Sequence, residues 1–163
     1  MKAVMLDTNV FDKLLSDVDL LANLPRKGFE YYATTIQYQQ ICNMPKEKME
    51  KQAQLKSIFS QVIDKVIEPI NNQWLSLEGN FFGKRFCSEE EFADLKDLRR
   101  DSSMHQREDK NKGKHLADAL IILTAKFSGN MIVVSEESSI LSKEAKNKGY
   151  RVYSLAEFIT LFE

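Results

Sequence analysis

Apolar residues in this chain come in two rhythms, short unbroken runs and runs that recur every three to four positions. Ala3, Val4, Met5 and Leu6 form a short run that stops at Asp7-Thr8-Asn9. A run of that length, bounded by polar turn formers, predicts a strand buried on both faces of a parallel sheet. Val10, Phe11, Leu14, Leu15 and Val18 then recur at helical spacing, and a second short helix starting at Asp17 carries Leu20, Leu21 and Leu24 up to Pro25. Arg26-Lys27-Gly28 reads as a turn, and the aromatic, β-branched stretch from Phe29 to Thr34 reads as a strand. Thr34 or Thr35 is placed to cap a helix through Ile36, Tyr38, Gln40 and Ile41, which stops near Asn43 and Pro45.

Residues 46–65 are dense in Lys, Glu and Gln, with Leu55, Ile58, Phe59, Val62 and Ile63 on one face. That spacing predicts a long amphipathic helix, its charged side solvated. Val66-Ile67-Glu68-Pro69 suits either a short strand or a helix end, and residues 71–87 give no clear periodicity, with Gly79 and Gly83 breaking any long element. An acidic first turn at Glu89-Glu90-Glu91 opens a helix over 88–101, and the very polar 102–114 reads as a loop. The segment 115–127, HLADALIILTAKF, predicts a strongly apolar helix closed by Gly129. A buried strand at 131–134, a helix over 138–148, a strand at 151–153 and a final helix opened by the Ser154/Glu157 capping box complete the chain. Strands alternating with helices predict an α/β fold, a three-layer α/β/α sandwich around a parallel sheet. The 163 residues are expected to form one domain, 1–163.

Composition narrows the classes. The chain is 43% hydrophobic and 29% charged, as a globular protein should be, and 23 basic against 24 acidic side chains leave no global field to attract nucleic acid. Cys42 and Cys87 form no CxxC pair, which suits core packing in a reducing cytoplasm. Asp7 interrupts the apolar run near the start, so no signal peptide is expected, and the uncharged stretch 119–125 is too short to span a bilayer. The expected location is cytoplasmic, with no membrane partner.

Candidate chemistry lies in acids at element ends. Asp7 follows the first strand, Glu137 follows the strand at 131–134, and Asp118 interrupts an otherwise apolar helix. A helix cap is the plainer role for Asp7 or Asn9, and acids at a helix start are favoured by about 0.3–1 kcal/mol, which offers a plain account of Asp118. Carboxylates gathered at one edge repel one another unless a cation offsets the charge, and oxygen donors of this kind suit Mg²⁺ or Mn²⁺. Such an ion generates hydroxide and neutralises charge on a phosphodiester.

The stretches MLDTNVF, ATTIQYQQI, HLADALIILTA and MIVVSEES, taken in this order and spacing, resemble the successive blocks of PIN-domain ribonucleases, the VapC-type toxin nucleases among them. The resemblance runs from Asp7 to about Phe158 and takes in the closing strand and SLAEF helix. It implies an α/β/α sandwich with an acidic Mg²⁺/Mn²⁺ site that hydrolyses RNA or DNA phosphodiesters to 5′-phosphate and 3′-hydroxyl ends. Many bacterial members are ribonuclease toxins restrained by an antitoxin protein, and members often form homodimers. On this resemblance Asp7, Asp118 and Glu137 match family acids, with Glu137 and Ser135 standing where the family usually has Asp and Thr. Thr8, Asn9 and Ser135 match polar positions that orient the acids or contact phosphate.

The remaining family acid is a Glu on the helix after the second strand, and the matching position here is Gln40. An amide oxygen remains a ligand for a hard cation, with one negative charge fewer. Glu30, Glu47, Glu108 and Asp109 do not fit as substitutes by spacing, and Asp12, one turn beyond Asn9, suits an exposed face. His115 shares a helical face with Asp118 and is a candidate phosphate contact, although a surface or capping histidine is commoner. The basic run Lys110, Lys112 and Lys114 could steer an RNA backbone or be an ordinary solvated loop. Two other functions fit parts of the sequence. A PIN scaffold that binds RNA or a protein without cleaving is favoured by Gln40. A haloacid dehalogenase-like phosphatase would need an acid at Asn9 and is disfavoured.

Overall fold

A computed structural model of the chain describes residues 1–71, 85–86, 112–136 and 149–162. The apolar run becomes β1 (Lys2–Leu6), and α1 (Thr8–Ser16) starts directly after Asp7. Next come α2 (Val18–Ala22), β2 (Phe29–Thr34) and α3 (Thr35–Cys42). A 3₁₀ turn (Lys46–Lys48) leads into α4 (Met49–Val62) and β3 (Lys65–Ile67). Beyond it lie β4 (Ile70–Asn71), β5 (Arg85–Phe86), α5 (Lys112–Phe127), β6 (Ile132–Val134), β7 (Val152–Tyr153) and α6 (Leu155–Phe162).

Among the described residues, five strands form a parallel sheet in the order β3-β2-β1-β6-β7. The first strand therefore sits at its centre, with Val4 level with Tyr31 on one side and Ile132 on the other. Successive side chains of a strand face opposite ways, and β1 and β6 supply both cores accordingly. Val4, Leu6, Ile132 and Val134 pack with Phe11 and Leu14 of α1, Phe59 and Val62 of α4, and Phe158 of α6. Met5 and Val133 pack on the other face with Ile121 and Leu123 of α5. Helices thus cover both faces, and the three-layer α/β/α sandwich expected from the pattern is present.

The expected caps form. Asp17 accepts from the Asp19 and Leu20 amides at 3.1 and 3.3 Å, Thr34 rather than Thr35 caps α3, and Ser154 and Glu157 exchange bonds of 2.8 and 3.2 Å at the start of α6. At the turn before β2, Gly28 takes φ 84°, where a Cβ is disfavoured, and its carbonyl accepts from Lys2 N at 2.7 Å.

Boundaries are moved or decided at three places. The helix expected over 46–65 ends at Val62, because Asp64 turns the chain into β3: its backbone N–H donates to the Tyr31 carbonyl at 2.9 Å, and its carboxylate accepts from Tyr31 N at 2.8 Å. Arg26 satisfies the carbonyls this leaves open, donating to Val62 O and Gln61 O at 3.0 and 3.1 Å. Of the two options at Val66-Ile67, the strand is the one that forms, paired in parallel with β2. Lastly, α5 starts at Lys112 rather than at His115, taking in the end of the stretch expected to be a loop. At the two ends of residues 71–87, where periodicity gave no signal, β4 and β5 form a small parallel pair. The helices expected over 88–101 and 138–148 lie outside the described residues.

Candidate functional site

Strand order reverses direction at β1, whose chain leaves toward β2 and returns at β6. In open parallel sheets the crevice beyond the carboxyl ends of such neighbouring strands is where ligands bind. Here Asp7 follows β1 and Ser135 follows β6. The Asp7 amide donates to the Val134 carbonyl at 2.9 Å, which holds the two strand ends level.

Asp7 is a buried carboxylate, only 3% exposed. Its Oδ1 accepts from the Thr8 amide and its Oδ2 from the Ser135 hydroxyl, each at 2.7 Å. The capping role is thus real, since Asp7 is the N-cap of α1, and it coexists with the cross-strand contact. The Thr8 amide and the Ser135 hydroxyl hold its rotamer. Asn9, in the first turn of α1, accepts from the Glu136 amide at 3.0 Å, so the exit of β6 is tied to the start of α1 twice.

Across β1, α3 presents two glutamines one turn apart. Gln40 is half-buried and its Oε1 accepts from the Thr8 hydroxyl. Asp7, Thr8, Asn9, Ser135 and Gln40 are therefore joined in one neighbourhood by direct contacts. Gln37, which drew no functional reading, is fully buried beneath it and donates to the Leu6 carbonyl at 3.0 Å. Its signal was present in the sequence, because Thr34 and Gln37 have the T-x-x-Q spacing of a capping box. Glu136 was also passed over. Its carboxylate accepts from the Leu155 amide at 2.9 Å, linking β6 to α6.

Asp118 is 9% exposed on α5, a helix packed against both β1 and β6. Because α5 starts at Lys112, Asp118 stands beyond its first turn, where the helix dipole no longer favours an acid. Its acidity is therefore not explained by a helix start. His115 lies on the same helix three positions earlier, and Glu137 lies outside the described residues. Among the described residues no group of three His, Cys, Asp or Glu side chains converges as a metal site.

Other acids are engaged elsewhere. Asp12 pairs with Lys51 at 2.7 Å on the outer face of α1. Glu30 is level with Ala3, toward the amino end of the sheet, and pairs with Lys65 at 2.7 Å. Lys65 together with the Tyr32 hydroxyl holds the Glu30 carboxyl below its usual pKa, and Glu30 in turn raises both Tyr32 and Lys65. Cys42 is half-buried and forms no disulfide. No helix among the described residues is long and apolar enough to cross a membrane.

The central parallel sheet between helical layers is that of a PIN-like α/β/α fold. The chain is similar to VapBC-1 from nontypeable Haemophilus influenzae with a TM-score of 0.53 at 12% identity, over 94% of this chain and 98% of that one. It also matches VapBC2 from Rickettsia felis, solved bound to a DNA fragment from their promoter, with a TM-score of 0.49 at 15% identity, over 93% and 98% of the two chains. No protein-family model and no curated protein sequence matches the chain.

Proposed function

We propose that the chain is a metal-dependent endoribonuclease, the toxin half of a toxin–antitoxin pair. The observation that carries this reading is the buried Asp7 carboxylate, held at the switch point of the sheet by Ser135 and the Thr8 amide. The likeness in fold to VapBC-1 supports it. The donor set fits a hard divalent ion, since its members are carboxylate and amide oxygens with no thiol. Asp7, Asp118 and Glu137 would hold Mg²⁺ or Mn²⁺, and Gln40 would add a neutral oxygen, its second lone pair remaining after Thr8 has bonded. Once bound, the ion would supply a water of lowered pKa and offset negative charge on the phosphodiester.

The chain's own residues do the rest in this reading. Ser135 and the Thr8 amide orient Asp7, so that the carboxylate enters binding without rotamer loss. Asn9 holds the exit of β6 against α1. His115 contacts a phosphate of the RNA, and an antitoxin protein covers the edge when the pair is assembled.

The test is cleavage of a mixed single-stranded RNA pool with Mg²⁺, with Mn²⁺ and with EDTA, beside the Asp7→Asn variant. Metal-dependent cutting that disappears in the variant is expected. No cutting by folded protein with either metal would defeat the nuclease reading and favour a PIN-like module that binds RNA or protein without cleaving. That second reading draws on Gln40, which brings no charge and already accepts from Thr8.

A further inference from the structure

Gln37 has no exposed surface, and both ends of its amide are used. Its Oε1 accepts from the Thr34 amide at 2.7 Å and from the Thr34 hydroxyl, while its Nε2 donates to the Leu6 carbonyl at 3.0 Å and lies 3.6 Å from Met5 Sδ. The orientation of the amide is forced, since a backbone N–H only donates and a backbone carbonyl only accepts. One side chain thereby joins the end of β2 to the end of β1, and does so at the peptide group that Leu6 shares with Asp7.

We propose that Gln37 is a positioning residue for Asp7, and that it works because it is an amide: one end caps α3 while the other sets the direction of the Leu6–Asp7 peptide. The proposal rests on the nuclease reading only for what Asp7 then does. Gln40, one turn along α3, accepts from the Thr8 hydroxyl, on the residue that follows the same acid. Asp7 is thus bracketed by two neutral side chains of a single helix. A carboxylate at position 37 would keep the cap, since Glu and Gln serve equally in a capping box. It has no N–H for Leu6, however, and while ionised would set its oxygen against the Leu6 carbonyl oxygen beside the Asp7 carboxylate. Above the pH at which that carboxyl takes up a proton, a cation beside it would offset the repulsion.

The comparison uses wild type, Gln37→Glu and Gln37→Met, each in EDTA and in Mn²⁺, followed by thermal unfolding and by backbone amide NMR. In EDTA both variants are expected to melt lower than wild type, by about 4 °C or more. The Asp7 amide resonance should move in both, because its peptide group loses the hydrogen bond. The Thr34 and Ile36 amides should move only in Gln37→Met, which also loses the cap. Mn²⁺ should raise the melting temperature of Gln37→Glu more than that of wild type and leave the deficit of Gln37→Met in place. A Gln37→Glu chain that melts in EDTA at or above the wild-type temperature, keeps its Asp7 resonance, or stays unfolded in Mn²⁺ would overturn the proposal. Failure of the nuclease reading looks different: wild type would neither bind Mn²⁺ nor cut RNA, while the EDTA comparison would still decide the role of Gln37.

Discussion

Ser135 reaches Asp7 across 128 positions of chain, and its hydroxyl is one of the donors that fix the carboxylate. A hydrogen bond to a charged group is worth about 1.5–3 kcal/mol. Under the proposed nuclease function, and if the bond acts only on the orientation of Asp7, Ser135→Ala should lower kcat/KM for RNA by about 10- to 100-fold, with Ser135→Thr retaining most of the activity. Unchanged melting in both variants would locate the effect in the site rather than in the fold. Tyr31 carries a different kind of prediction. Burial pushes its phenol well above the ordinary tyrosine range, and its hydroxyl donates to the Pro25 carbonyl. The folded chain keeps this proton where the unfolded chain releases it, so the contribution is complete below about pH 10 and is lost as pH rises beyond that. Urea titrations at stepped pH should show Tyr31→Phe less stable at neutral pH by about 1 kcal/mol, with a shallower decline under alkaline conditions. A wild-type decline no steeper than that of the variant would remove Tyr31 as its source.

At the scale of elements, α6 closes the core on one face of the sheet. Phe158 has no exposed surface and meets Phe29, Tyr31 and Phe162 with ring centroids 5.4, 6.4 and 5.2 Å away. Phe158→Ala should cost about 3–5 kcal/mol, as truncation of a buried aromatic does, read as a lower urea midpoint with unchanged slope. A loss below about 1 kcal/mol would mean that α6 can repack around the gap. The element scale also shows what periodicity could and could not convey. Strong patterns such as Val10-Phe11-Leu14 produced the right helix, and the polar side chains at Asp17, Thr34 and Ser154 marked helix starts. The end of α4 was missed, because Ile63 continues the helical spacing while the turn is imposed by Asp64 and Tyr31, which are 33 positions apart. β4 and β5 are two residues each, too short for any rhythm to declare them.

For the whole molecule, the neighbourhood of Asp7 was legible wherever a residue's type and its place at a strand end coincide, as they do for Thr8, Asn9 and Ser135. Gln37 was hidden because its significance lies in the Leu6 carbonyl, and a backbone group leaves no mark in a sequence. The place of Asp118 in its helix was read too near the start, because α5 begins at Lys112 rather than at His115. The position of β1 in the middle of the sheet has a further consequence, for synthesis. The earliest strand to emerge is flanked on one side by β2 soon afterwards, but its other edge must wait for β6. At about 5–20 residues per second, the 128 positions between Asp7 and Ser135 correspond to roughly 6 to 25 s of translation. During that time the nascent chain carries an open strand edge, the kind of surface that invites wrong pairing, and Asp7 lacks the hydroxyl that completes its setting. A cell making this chain therefore has an interval in which the acid exists and its site does not.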